Sequence, residues 1–236
     1  MSIKVVLFDL DGTLLPMDQD VFVKYYFGML AERLTPLGYE KEGLIKSIWE
    51  GTAAMVKNRG GRTNEEAFWD CFTQIHGEQA RAHLPEFEAF YKEDFCKVKA
   101  SCGYDPCASK AVREIKKMGL RVALATNPIF PAIATKQRIA WAGLDEEDFE
   151  LYTTYENSCH CKPNPEYYLD ITVKLGVRPE DCLMVGNDVG EDMIAERLGM
   201  QVFLVPKHII NKAGSDISHY PQGDFDSLIE YVKENV

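Results

Sequence analysis

The chain opens with a short apolar run, Ile3 to Phe8, that breaks at Asp9-Leu10-Asp11-Gly12. β-Branched residues bounded by a polar loop predict a buried strand whose carboxylates stand at its C-terminal end. From Asp18 to about Phe95 the period becomes helical. Val21, Tyr25 and Phe27 to Leu30 lead one segment, Leu44, Ile48 and Met55 a second, Ala67, Phe68, Phe72 and Ile75 a third, and Phe87, Phe90 and Tyr91 a fourth. Breaks at Pro36-Leu37-Gly38, at Asn58 to Gly61 and at Gly77 leave loops short enough for antiparallel helix neighbours. Thr63-Asn64-Glu65-Glu66 has the form of a capping box.

Beyond Cys102 the texture alternates. The pattern predicts helices at about 107–118, from Pro131 to near Gly143, at 165–175 and at 192–198. Between and after them it predicts strands at 121–125, 149–154, 182–185 and 201–205. Repeated strand–helix units imply an α/β protein with a Rossmann-like, mostly parallel sheet and helices on both faces. The expected organisation is a core of residues 1–15 and 100–236, with residues 16–99 inserted after the first strand as an all-helical domain.

Length and charge narrow the setting. The 236 residues allow one large domain or a core with one insertion. There are 37 acidic against 26 basic residues, a net charge of −11. The densest basic stretch, Lys110 to Arg121, reads as the wet face of an amphipathic helix. Nucleic acid and anionic lipid are therefore disfavoured as partners. No segment reaches the roughly 20 apolar residues of a membrane helix, and the N-terminal run meets Asp9 and Asp11 too soon for a signal sequence. Seven cysteines, an odd number scattered through a long chain, suggest a reducing cytoplasm. Cys159-His160-Cys161 spaces its thiols too closely for the usual zinc pair and has no second pair beside it.

In open parallel sheets ligands bind beyond the carboxyl ends of the strands, and four polar places occupy such positions. Asp9 and Asp11 leave the first strand, with Gly12 permitting a sharp turn. Thr126-Asn127 follows the second strand with a hydroxyl and an amide able to bind an anion. Lys162 stands in the stiff loop Cys161-Lys-Pro-Asn-Pro165. Asp188 and Asp192 follow the apolar run 182–185, four residues apart, where acidic residues also serve as helix-dipole complements.

Taken in order, Val5-Val-Leu-Phe-Asp-Leu-Asp-Gly-Thr13, Thr126-Asn127, Lys162-Pro163 and Val185-Gly-Asn-Asp188-Val-Gly-Glu-Asp192 resemble the haloacid dehalogenase superfamily of phosphohydrolases. These motifs span nearly the whole chain. One departure is Asn187, which separates Gly186 from Asp188. The resemblance implies a Rossmann-like core and a mobile helical cap. It also implies an Mg²⁺-dependent phosphatase acting on a small phosphorylated metabolite. Asp9 would be the nucleophile that forms an aspartyl-phosphate, and Asp11 the acid and base, with its carbonyl on the metal. Asp9, Asp188 and Asp192 would be carboxylate ligands, and Thr126, Asn127 and Lys162 would hold the phosphoryl group.

An acid at Asp11 favours a phosphatase over a 2-haloacid dehalogenase, whose halide leaving group takes no proton. A phosphomutase would keep the same acid, and a non-catalytic binding module could keep the same core. In the cap, Asp18, Tyr25, Tyr26, Trp49, Arg59, Arg62 and Trp69 are unranked candidates for substrate selection. Asn58-Arg-Gly-Gly-Arg62 is expected as a mobile loop facing an anionic substrate. Substrate identity and oligomeric state leave no readable trace.

Overall fold

The computed structural model describes residues 2–236. The opening apolar run forms β1 (Val5–Phe8), every residue of it fully buried. Four helices then follow in the insertion: α1 (Gln19–Leu34), α2 (Lys41–Val56), α3 (Asn64–His76) and α4 (Leu84–Ala89). Asp18 caps α1 by accepting from the amides of Asp20 and Val21. The capping box of α3 is present, with Thr63 accepting from the Glu66 amide and Glu66 from the Thr63 amide at 3.1 and 2.7 Å. After α4 the chain winds into one π-turn (Phe90–Asp94) and a 3₁₀ stretch (Phe95–Ser101). It leaves the sheet at Pro16 and returns at Gly103, whose amide donates to the Pro16 carbonyl at 2.7 Å.

The second part alternates as expected: α5 (Pro106–Lys117), β2 (Arg121–Leu124), α6 (Ala132–Trp141), α7 (Pro165–Leu175), β3 (Cys182–Gly186) and β4 (Gln201–Leu204). The sheet is parallel throughout, in the order β2-β1-β3-β4. A terminal helix, α8 (Phe225–Asn235), was not anticipated, although Phe225, Leu228, Ile229 and Val232 carry its apolar spacing. The predicted strand at 149–154 is reduced to one parallel bridge, Leu124 to Tyr152, flanked by hydrogen bonds to the outer edge of β2. The predicted helix at 192–198 is a 3₁₀ stretch, Met193–Leu198, ended by Gly199 in the left-handed region.

Both faces of the sheet are covered. Val6, Phe8, Val122, Leu124, Leu183 and Val185 point into one apolar cluster with α5, α6, α8 and the helical insertion. Val5, Leu7, Ala123 and Met184 point the other way, against Tyr167, Tyr168 and Ile171 of α7. Strand alternation thus feeds two cores, the reason these strands read as unbroken apolar runs.

The insertion touches the sheet side again at the start of α3. Asn64 is fully buried, and its side-chain amide donates to the Pro128 carbonyl at 3.1 Å and to Cys161 Sγ at 3.2 Å. Asn58 braces it from behind by donating to Asn64 Oδ1 at 2.9 Å. The segment 58–62 is accordingly not a loop facing the candidate site. Asn58 is buried, and Arg62 pairs with Asp70 on the surface at 2.7 Å.

Candidate active site

The C-terminal ends of β1, β2 and β3 lie side by side, so the polar residues that follow each strand converge. Asp9 is buried, and its two oxygens are separately held. Lys162 Nζ donates to Oδ1 at 2.9 Å and Thr13 Oγ1 lies 3.1 Å from Oδ2. Thr13 Oγ1 lies 2.9 Å from Asn187 Oδ1 as well, so its one proton is shared between the two acceptors, and the Asn187 amide donates to the His208 carbonyl at 2.6 Å. The residue that departs from the family spacing therefore ties the first acidic loop to the fourth. Gly12 is required in this arrangement. Its φ is +86°, and a Cβ there would stand 2.4 Å from Asn187 Nδ2.

Lys162 is almost fully buried and is shared by two carboxylates, reaching Asp192 Oδ1 at 2.6 Å. Burial alone would depress its ammonium, but Asp192 and Asp9 together hold it well above the usual lysine range. The other Asp192 oxygen accepts from the Asp188 amide at 2.9 Å. Asp192 is thus turned inward, and Gly186 makes room for it, since a Cβ at 186 would meet Asp192 Oδ2 at 2.1 Å. Asp188 instead faces the cavity. Its Oδ1 accepts from the amides of Gly190 and Glu191 at 2.8 and 2.9 Å.

Asp11 forms an ion pair with Arg138, a residue of α6 whose side chain is 1% accessible. The guanidinium also lies over the Phe130 ring, 4.5 Å from its centroid. Burial raises the Asp11 carboxyl above its ordinary value, and the charge of Arg138 opposes that rise. Beside Asp188, burial pushes Glu191 up to about 7 against the pull of Lys162; it accepts from Asn127 at 3.1 Å. The Thr126 carbonyl is fixed by the hydroxyls of Thr153 and Tyr167 at 2.6 and 2.8 Å. Among the described residues, Asp11 Oδ1 and Asn127 Oδ1 are buried without a partner, polar atoms left for a ligand or water.

The donor set suits a hard cation. Mg²⁺ commonly takes one or two carboxylates and completes its shell with water and substrate oxygens. Asp9 and Asp188 line one cavity, and among the described residues no hydrogen bond engages the second Asp188 oxygen or the Asp11 carbonyl. No group of three or more His, Cys, Asp or Glu side chains among the described residues is placed to hold a metal. Of the Cys159-His160-Cys161 cluster, His160 pairs with Asp170 at 2.7 Å and Cys161 accepts from Asn64.

The cavity holds about 660 Å³ and brings together Asp9, Asp11, Thr126, Asn127, Asp188 and Asp192, with Lys162 directly behind Asp9 and Asp192. Of the cap candidates, Tyr26, Trp49 and Trp69 line it. Asp18 is the α1 cap, Tyr25 lies on the surface, and Arg59 and Arg62 are not among the lining residues. Sequence reasoning missed Arg138, because a lone arginine in an amphipathic helix reads as solvated. It also missed Glu65, Glu191 and most of the aromatic wall.

No helix among the described residues is long and apolar enough to cross a membrane, and the seven cysteines are free thiols. YhcW of Bacillus subtilis is 27% identical over 212 residues, 88% of this chain and 85% of its own. Pyrophosphatase PpaX of Bacillus cereus is 23% identical over 188 residues, 80% and 76% of the two chains. In fold, the chain is similar to a phosphatase structure from Thermococcus onnurineus, with a TM-score of 0.59 and 18% identity over 98% of each chain. The family profile of haloacid dehalogenase-like hydrolases matches residues 3–197, the stretch that carries all four strand-end motifs. With that match and a helical insertion above a four-stranded parallel sheet, the chain belongs to the haloacid dehalogenase-like hydrolase family.

Proposed function

We propose that this hydrolase is an Mg²⁺-dependent phosphatase that cleaves a small phosphomonoester through an aspartyl-phosphate on Asp9. One observation carries the reading: Asp9 lies at the cavity floor with both oxygens fixed by Lys162 and Thr13, and Asp11 faces the same cavity two residues on. The relative PpaX, named a pyrophosphatase, agrees with phosphoryl chemistry. Residues 16–99 are taken as the cap, in keeping with the contact that closes the insertion between Pro16 and Gly103.

An Asp9 oxygen attacks phosphorus in line, and the bond from phosphorus to the alcohol oxygen breaks. Asp11 gives the departing alkoxide its proton. Asp11 then takes a proton from a water, which attacks phosphorus and frees the Asp9 carboxylate and inorganic phosphate. Lys162 holds Asp9 in position and neutralises charge on the transferring group, to which Thr126 and Asn127 donate hydrogen bonds. Asp9, Asp188 and the Asp11 carbonyl would hold the Mg²⁺, which when bound offsets the repulsion between carboxylate and phosphate. Asp192 is assigned to anchoring Lys162, one oxygen accepting from the ammonium and the other from the Asp188 amide.

An alkoxide needs a proton on departure and a halide does not, so Asp11 favours the phosphatase over a dehalogenase. The test is phosphate release from a panel of phosphomonoesters with Mg²⁺ and with chelator, for wild type and Asp9→Asn. Metal-dependent release that disappears in a folded Asp9→Asn protein is expected. Equal release by both proteins would refute the assignment.

A further inference from the structure

The cavity above Asp9, about 660 Å³, is far larger than a phosphoryl group requires and falls in the range of sites for whole small molecules. Its floor is polar and comes from the strand ends. The wall facing that floor comes from the insertion and is aromatic, with Phe22, Tyr26, Trp49, Trp69, Phe87 and Tyr91 among its members. Neighbouring rings brace one another, Trp69 against Phe87 at 5.2 Å and Tyr26 against Phe130 at 5.4 Å between centroids. Trp49 sits at the rim of this wall, half exposed, lining the cavity on one side and an open surface groove with Ile45, Lys46 and Ala53 on the other.

Charge on this wall is one-sided. The insertion contributes only Glu65, Glu88 and Lys92 as charged lining residues, and the Lys92 ammonium is 3.2 Å from Glu88. Glu65 has no cationic partner among the described residues. Burial, with Glu156, Glu66 and Glu88 nearby, raises its carboxyl. A second anionic group on a substrate would meet a carboxylate there and no free cation. Lys212, the other basic lining residue, comes from the core side near Asp188.

Resting on the phosphatase reading above, we infer that the substrate is the phosphomonoester of a large, flat, apolar or aromatic alcohol that carries no second anionic group. Glu65 accepts a hydrogen bond from, or pairs with, a donor or cation at the far edge of that alcohol. Short phosphorylated acids and pyrophosphate fit neither the size nor the charge of the wall.

The experiment compares naphthyl phosphate with phosphoglycolate and pyrophosphate, by turnover of wild type with Mg²⁺ and by calorimetric binding to Asp9→Asn. Wild type should prefer naphthyl phosphate by at least about tenfold in kcat/KM. Trp49→Ala, at a half-exposed position where truncation spares the packing, should raise KM for naphthyl phosphate about fivefold or more and leave kcat nearly unchanged. Glu65→Lys should narrow the gap by improving phosphoglycolate turnover. Preference for phosphoglycolate or pyrophosphate overturns the inference and leaves the phosphatase reading standing. The phosphatase reading itself stands or falls on the wider panel above; if none of these three is hydrolysed, calorimetric heat with naphthyl phosphate alone supports the inference, and heat with phosphoglycolate or pyrophosphate, or with none of the three, overturns it.

Discussion

Replacing Arg138 by methionine removes the counter-charge of Asp11 and leaves the methylene volume largely filled. The guanidinium has one anionic partner, Asp11, a 3.3 Å contact to Thr135 and the Phe130 ring beneath it, and its Nε has no hydrogen-bond partner among the described residues. Breaking a buried pair by deleting one member costs about 3–5 kcal/mol, because a buried charge is left uncompensated. Asp11 keeps 22% of its side chain accessible at the cavity. A cost near the lower end, about 3 kcal/mol, is therefore expected for Arg138→Met. In an Asp11→Asn background the same change relieves a stranded guanidinium instead, so the double-mutant cycle should give a coupling of about 2 kcal/mol or more. Arg138→Lys keeps the charge but loses the planar fork and should fall between. The assay is urea unfolding followed by circular dichroism and tryptophan fluorescence, accepted where the two transitions coincide. A coupling within about 0.5 kcal/mol of zero would show that the two residues do not sense each other and would refute the argument.

Gly186→Ala places a methyl within 2.1 Å of the present Asp192 Oδ2 position; it should cost about 1–3 kcal/mol by overpacking and lower kcat through the displaced Lys162, as read by unfolding and steady-state kinetics. Cys96 and Cys107 are exposed, whereas burial pushes Cys161 up to about 12 and Cys182 up to about 11; a thiol-reactive dye at neutral pH should label the first two quickly and the last two only on unfolding, because the thiolate is the reactive form. Hydrogen bonds from Arg178 and Lys4 lower the Asp181 carboxyl to about 2. Its folded-state pKa being depressed, the stability it contributes is present above about pH 4 and lost as pH falls towards 2, so Asp181→Asn should flatten the acid limb of a stability–pH curve. An unchanged limb would contradict that assignment.

The strand ends were readable because two signals coincide there: an unbroken apolar run says that both faces are covered, and an abrupt acid or hydroxyl says where cover stops. Asp9, Thr126 and Asp188 all stand at such breaks. Asp192 was placed near the same point, but its orientation was not legible, because it depends on Lys162, thirty residues away and brought in by the fold. Arg138 was invisible for the converse reason. Its partner is 127 positions earlier in the chain, and nothing local distinguishes it from a surface arginine. The aromatic residues of the insertion carry helical spacing whether they face a core or a cavity, so period alone cannot sort Trp49 from Phe72. Segment 149–154 has strand composition but only an outer edge to join, and a single bridge forms.

The insertion between β1 and β2 also sets an order of events during synthesis. β1 is the centre of the sheet, yet its partners begin at Arg121 and Cys182. At about 5–20 residues per second, the ~115 residues separating β1 from β2 take about 6–23 s to translate. Throughout that interval β1 is an unpaired apolar segment, while α1 to α4, rich in local contacts, are already available to fold. The helical insertion is thus made before the sheet it packs against. The strand that leads into Asp9 acquires its second neighbour later still, once β3 has followed β2 out of the ribosome, and until then it keeps an open edge.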